Sequence, residues 1–149
     1  MEIVGGSCRF GLWFVHVRWN ESTVYQVRFA TTGIPGEVPN LIRQYCAGQV
    51  VSPESLDSIA THEDTVYSRI YRAVQQVPYG STSTYGEIAA TVGTSPRVVG
   101  QAMARNPTPL VIPCHRILAA QGIGGFSPDV EIKVALLAGE KKGLRKGKR

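Results

Sequence analysis

Apolar and polar residues alternate with a period of two along residues 13–19. Trp13, Val15, Val17 and Trp19 fall on one side, and His16 and Arg18 on the other. After the polar turn at residues 20–22, Tyr25, Val27 and Phe29 alternate with Gln26 and Arg28. Period two on both sides of a short polar turn predicts a β-hairpin. The Gly- and Pro-rich residues 31–39 predict a loop, and residues 40–48 a short helix ended by Gly48. Residues 50–62 lack either period and predict a linker.

The pattern then changes. Val66, Ile70, Val74 and Val77 recur at helical spacing, with Tyr67 and Tyr71 beside them, until Pro78 and Gly80 stop the run. Thr84 and Glu87 form a capping box for a helix with Ile88, Ala89 and Val92 on its inner face and Gly93 at its end. Ser95 is an N-cap residue, Pro96 suits the first helical position, and Arg97 falls in the first turn of the next helix. Two short helices joined by a Gly-containing turn predict a helix-turn-helix. The exposed face of the second helix is small at Gly100 and Ala104, which permits close approach to a nucleic-acid backbone. Leu110, Val111 and Ile112 predict a buried extended segment that delivers Cys114 and His115. Residues 119–126 predict a Gly-rich loop or wing. Residues 131–140 predict a last helix with Val134, Leu137 and Ala138 inside and Glu140 near its end. Strands followed by helices make the fold class α+β. The expected organisation is a β-rich unit at 1–56, a helical unit at 57–140 and a basic, disordered tail at 141–149.

Composition changes this picture little: 149 residues, 43% hydrophobic and 18% charged, are ordinary for a soluble domain or two small ones. No apolar run reaches the roughly 20 residues that span a bilayer, and the N-terminus shows no secretion signal, so a cytoplasmic protein without membrane attachment is expected. Charge changes it more. The net charge of +5 comes from the tail, which carries six basic residues and no acid. Residues 1–64 hold four Arg and seven acids, whereas residues 65–128 hold five Arg and Glu87 alone. That asymmetry points a polyanion toward the second part. Three cysteines, Cys8, Cys46 and Cys114, argue against a disulfide framework. Cys8, His16, Cys46 and His62 have no metal-ligand spacing, and no metal site is expected.

Cys114 precedes His115 in "PLVIPCHRIL". A thiol is nucleophilic as the thiolate and needs a lowered pKa or a nearby base. Neighbours in an extended strand point to opposite faces, so the two side chains cooperate only if the backbone bends or a water links them. Taken alone, the dipeptide leaves open a buried inert cysteine, a metal ligand, half of a disulfide and a nucleophile.

"NPTPLVIPCHRIL", with "VPYGSTSTYGEIA" upstream and "SPRVVGQAM" between them, resembles the O6-alkylguanine-DNA alkyltransferase family, whose active-site signature is P-C-H-R. The resemblance covers roughly residues 62–140. It implies a ribonuclease H-like N-terminal domain and a winged helix-turn-helix C-terminal domain. It also implies stoichiometric transfer of the alkyl group of O6-alkylguanine in DNA to Cys114, with O4-alkylthymine an open second substrate, and irreversible inactivation of the protein. Cys114 would be the acceptor. His115 would deprotonate it through a water, Glu140 would orient that histidine, and Asn106 would brace the active-site turn. Tyr85 would push the phosphate of the target nucleotide and help protonate the leaving guanine, and Arg97 would fill the gap left by the flipped base. Thr84, Ser95 and Gly100 would lie on DNA. Met103, Pro109, Ile117, Phe126 and Ser127 would wall the pocket with Tyr85. Double-stranded DNA carrying the lesion is the implied partner of a monomer that needs no cofactor. Two departures stand out: "VGTSPR" is about two residues shorter than in many members, and Phe126 replaces a common Tyr. Alkyltransferase-like proteins that bind without repair lack the cysteine. A helix-turn-helix regulator would leave Cys114, His115, Glu140 and Asn106 unexplained as a set. A cysteine hydrolase would need a second His.

Overall fold

The computed structural model describes residues 2–147. Its N-terminal part is a three-stranded antiparallel sheet of β1 (Val4–Phe10), β2 (Trp13–Trp19) and β3 (Val24–Ala30), in that order. The β2–β3 hairpin is the one that alternation predicts, with Val15 opposite Phe29 and Val17 opposite Val27. β1 is the strand that alternation misses, because it carries Gly5 and Gly6 where a side chain would mark a face. The loop after β3 crosses it there. A Cβ on Gly6 would lie 2.3 Å from the Glu37 carbonyl oxygen, and one on Gly36, at φ 119°, would lie 2.1 Å from that of Gly5. Glycine lets the two backbones touch. Helix α1 (Asn40–Cys46) covers the sheet with Ile42 and Tyr45 turned inward. Cys8 and Cys46 are free thiols.

The expected linker at 50–62 is a strap. It forms two single 3-10 turns, Pro53–Ser55 and Ile59–Thr61. Between them Val24 donates its N–H to the Asp57 carbonyl at 2.8 Å, and buried Ser58 bonds Thr108 at 2.7 Å. Most of its polar side chains face solvent while one backbone carbonyl and buried Ser58 hold it to the fold, so composition alone reads as a linker.

Helix α2 (Val66–Gln75) starts at a Thr65–Ser68 capping box and buries Ile70, Tyr71 and Val74. Val66 is exposed instead of inner, because it lies beside the stripe that those three residues define. A short strand β4 (Ser83–Thr84) leads into α3 (Tyr85–Val92), capped as expected by Thr84 and Glu87 and ended by Gly93 at φ 86°. Three residues later α4 (Pro96–Ala104) begins, with the Ser95 hydroxyl accepting from Val98 N–H. β5 (Ile117–Leu118) pairs parallel with β4.

Helix α5 (Val130–Gly147) corrects two expectations. Its buried residues are Ile132, Lys133, Leu136, Glu140 and Gly143. Val134 and Ala138 are exposed, and Leu137 is half-buried. An apolar-only reading chose the wrong stripe because the true one contains a lysine and a glutamate. The expected disordered tail is helical as far as Gly147: buried Gly143 packs against Tyr79, and Leu144 against Gly80. Lys148 and Arg149 of that tail lie outside the described residues. Among the described residues no helix is long and apolar enough to cross a membrane.

Two apolar clusters result. The first joins Val15, Val17, Val27, Phe29 and Ile42 to Leu110, Val111, Ile132 and Leu136. The second joins Ile70, Val74, Ile88 and Val99 to Ile112 and Ile117. The N-terminal sheet therefore completes its core with residues from the far end of the chain. Gly6→Ala should force β1 and the crossing loop apart and destabilise the protein by about 1–3 kcal/mol, the usual range for overpacking. Urea denaturation checks this; an unchanged midpoint would refute the close approach.

Candidate active site

The segment after α4 is shaped by Asn106. Its side-chain amide donates to the Ile112 carbonyl at 2.9 Å, and its oxygen accepts from Thr108 N–H at 2.9 Å. Ile112 N–H returns to the Thr108 carbonyl at 2.9 Å. The result is a tight turn, not the extended segment that the apolar run predicts. Leu110 sits at its apex with φ 76°, a conformation that costs a non-glycine residue about 1–3 kcal/mol. The reason is that Leu110 and Val111 enter one cluster while Ile112 enters the other. From the other side, Val27 N–H of β3 donates to the Pro107 carbonyl at 2.9 Å.

The backbone then makes a 3-10 turn over Cys114–Arg116. This bend removes the objection that neighbours in a strand face apart. Cys114 is 7% exposed and forms part of a cavity of about 360 Å³. Tyr85, Gly100, Met103, Asn106, Pro109, Phe126 and Ser127 line the same cavity. Ile117, expected in its wall, is instead fully buried in the second cluster and is not among the lining residues. Its strand pairing with β4 turns it inward. Phe126 stacks edge-on against Phe29 at 5.7 Å, so the sheet backs one wall. Thr84 and Ser95 act as helix caps, and Arg97 is exposed in the first turn of α4.

Behind Cys114 lies a buried polar cluster centred on Glu140, 1% exposed. His115 Nε2 lies 2.5 Å from Glu140 Oε2. Arg116 Nε donates to both carboxylate oxygens at 3.0 and 3.1 Å. Gly80 N–H donates to Oε1 at 2.8 Å and the Tyr45 hydroxyl to Oε2 at 2.7 Å. Arg116 Nη1 also reaches Glu54 at 3.0 Å and the Val77 carbonyl at 2.9 Å. Burial alone would raise the Glu140 carboxyl, but hydrogen bonds from His115 and Arg116 outweigh it and hold it at about 2 instead of 4.5. It is therefore an acceptor, and it fixes the proton of neutral His115 on Nε2. Nδ1 is then the ring's free acceptor, and it is buried without a hydrogen-bond partner among the described residues.

Burial lowers the pKa of His115 against the pull of Glu140. Burial raises that of Cys114, while the Asn106 side chain and the Lys133 charge draw it back. The resting pair is thus a thiol beside a neutral imidazole, not a standing thiolate, and the proton must move during the reaction. Tyr85 is also raised by burial and stays a hydrogen-bond donor at neutral pH.

Four contributors escaped the sequence reading. Arg116 and Lys133 are cations inside apolar runs, a signal that could have marked them as buried and partnered. Lys133 Nζ donates to the Ile117 carbonyl at 2.6 Å. Glu54 and Tyr45 carried no local signal.

The electrostatics predict acid sensitivity. A carboxyl depressed to about 2 contributes stability that is complete above its unfolded value of 4.5 and is lost as pH falls from there through 2. The amount is on the order of 3 kcal/mol. His115, lowered from 6.5, acts in the same direction, since its stability is lost as pH falls below 6.5. The thermal midpoint should therefore drop below pH 6.5 and most steeply below 4.5. Glu140→Gln should lower the midpoint at neutral pH, because Arg116 keeps a buried charge without its carboxylate, and should flatten the acid slope. An unchanged acid slope in that variant would exclude Glu140 as the linked group.

Comparison with known proteins bears on the same segment. The family model described as 6-O-methylguanine DNA methyltransferase, DNA binding domain, matches residues 65–142. A methylated-DNA–protein-cysteine methyltransferase of Saccharolobus islandicus is 50% identical over 68 residues, 46% of this chain and 45% of that protein. One of Metallosphaera sedula is 52% identical over 69 residues, 46% of this chain and 44% of that protein. The match thus spans less than half the length of these curated relatives. Over the whole fold, the Mycobacterium tuberculosis OGT solved in complex with DNA has a TM-score of 0.75 at 26% identity, covering 92% of each chain. The O6-methylguanine-DNA methyltransferase of Pyrococcus kodakaraensis has a TM-score of 0.72 at 25% identity, covering 93% of this chain and 99% of that one. The turn that carries Cys114, the cavity it borders and His115, Arg116 and Glu140 behind it all fall within the matched residues, and the chain belongs to the 6-O-methylguanine DNA methyltransferase family.

Proposed function

We propose that this protein repairs DNA by moving the alkyl group of O6-alkylguanine onto Cys114, once per molecule. The observation that carries this reading is the pairing of a cavity-lining thiol with a histidine whose Nε2 is engaged by Glu140 and whose Nδ1 is a free, buried acceptor. Its support from relatives is the name methylated-DNA–protein-cysteine methyltransferase. A cavity of about 360 Å³ also lies within the roughly 300–1,000 Å³ of small-molecule sites.

The reaction starts with the nucleotide. Guanine O6 in a duplex is out of reach of a buried thiol, so the base must be extruded at a cost of a few kcal/mol. Residues 57–140 act as a winged helix-turn-helix unit, with α4 on the duplex, the turn after β5 as the wing and Thr84, Ser95 and Gly100 against the backbone. The N-terminus of α4 offers free N–H groups to phosphate. Arg97 occupies the gap left by the base, and Tyr85 pushes the adjacent phosphate. Met103, Pro109, Phe126 and Ser127 receive the base. Residues 1–56 form a ribonuclease H-like support. The partner is double-stranded DNA, and the protein acts as a cytoplasmic monomer without cofactor.

In the chemical step the Cys114 thiol proton passes through a water to His115 Nδ1, and Glu140 stabilises the imidazolium through Nε2. The sulfur attacks the alkyl carbon in line with the C–O6 bond. A C–S bond forms, the C–O6 bond breaks, and its electrons return to the guanine. Tyr85 helps protonate that leaving base, and the proton taken up by His115 is released to solvent, so guanine leaves neutral and the net change is exchange of the thiol proton for the alkyl group. A thioether has no leaving group that would regenerate the thiol, so turnover stops at one. Asn106 keeps the turn, and with it the sulfur, in place.

Duplex DNA carrying labelled O6-methylguanine should transfer label to protein at a ratio approaching one. Repeated turnover would overturn the mechanism. Cys114→Ala should abolish transfer and retain DNA binding. Arg97→Ala should slow transfer on duplex roughly tenfold or more, since the finger offsets part of a flipping cost of a few kcal/mol, and should spare reaction with free alkylguanine base. Equal losses on both substrates would exclude the finger.

A further inference from the structure

Tyr45 belongs to α1, in the N-terminal part of the chain, yet its side chain ends inside the cluster behind Cys114. Its hydroxyl donates to Glu140 Oε2 at 2.7 Å and lies 3.2 Å from His115 Nε2. The same oxygen of Glu140 receives the histidine proton. The ring is held by the first apolar cluster and meets Tyr79 edge-on at 6.0 Å. Tyr45 thus touches both ends of the hydrogen bond between His115 and Glu140, from an element 70 residues away in sequence from His115.

We propose that Tyr45 is a positioning residue of this site, whose hydroxyl shares Glu140 Oε2 with His115 and so keeps the imidazole neutral, with Nδ1 open to take the thiol proton. The inference rests on the alkyl-transfer reading for its use, but not for its geometry. A carboxylate oxygen that accepts one hydrogen bond from a hydroxyl has less charge left for a second donor. Without the hydroxyl, Glu140 would pull harder on the histidine and favour its protonated form. The 3.2 Å contact to Nε2 acts in the opposite sense but is longer, and the hydroxyl hydrogen points to the carboxylate, so the first effect prevails.

The other groups facing this pair are accounted for. Tyr45 and Cys46 come from α1, Glu54 from the first 3-10 turn and Tyr79 from the loop after α2. Cys114 and Arg116 flank His115, and Lys133 lies on α5 near Cys114. Arg116 is the charge opposed to Glu140, and burial, which would lower it, is outweighed by Glu140 and Glu54. Its charge does not change over the range of interest, and Tyr45 itself, raised by burial and by Glu140, stays protonated.

The variant Tyr45→Phe removes the hydroxyl and retains the ring. NMR titration of the His115 imidazole in the free protein should show its pKa rising by roughly one unit. The acidic limb of the single-turnover transfer rate against pH should move upward by the same amount. Ile42→Val loosens the same helix without touching the hydroxyl and should lower the unfolding midpoint while leaving both values in place. An unchanged His115 titration in Tyr45→Phe, or the same shift in Ile42→Val, would overturn the proposal. If the unsubstituted protein transfers no alkyl group while the NMR shift appears, the transfer reading fails and the role of Tyr45 in holding the histidine stands.

Discussion

Glu140 is a buried carboxylate on which three separate parts of the chain converge. It accepts hydrogen bonds from Tyr45, Gly80, His115 and Arg116, and Arg116 in turn reaches Glu54. A buried charge is costly unless it is paired and fully hydrogen-bonded, so each of these contacts is required by the others. Together they tie α1, the strap at residues 53–55, the loop after α2, the Cys114 turn and α5 to one point. The same atoms set the tautomer of His115. Folding and chemistry thus share a single interaction, and a defect in one must appear in the other.

The second constraint is the turn from Asn106 to Arg116. It stands between two apolar clusters and sends side chains into both. That arrangement holds Leu110 at a positive φ and bends the backbone at Cys114. Hydrogen bonds from Asn106, from the strap through Ser58 and Thr108, and from β3 to Pro107 surround it. Strain of this kind persists only where the surroundings over-determine it. Cys114 therefore occupies a fixed position in the cavity, with the sheet behind Phe126 as a rigid backing.

Thiol and imidazole are both neutral at rest because burial disfavours each charged form. This differs from a preformed thiolate, and it limits adventitious reaction of a residue that is consumed by use. The Lys133 charge and the Asn106 hydrogen bond moderate the cost when the sulfur becomes charged. Lys133 is itself held by the carbonyls of Ile117 in β5 and of Gly125, which lines the cavity.

Much of this was legible in the chain. The β2–β3 hairpin, the caps at Thr84 and Ser95 and the stop at Gly93 follow from local patterns, because alternation, capping and turn chemistry act over a few residues, whereas the grouping of Cys114, Tyr85, Asn106 and Met103 came from the family resemblance. The resemblance carried Glu140 into the site as well. β1, the inner face of α5, the bend at Leu110 and the places of Tyr45, Glu54, Arg116 and Lys133 were decided by the tertiary structure alone. Each depends on contacts between distant residues, up to 95 positions apart for Tyr45 and Glu140. Each also buries what a local pattern assigns to solvent, or bends what it assigns to a strand. A charge can sit in the interior only when its partner arrives from elsewhere, and that arrival is written in the packing of the whole chain rather than in any stretch of it.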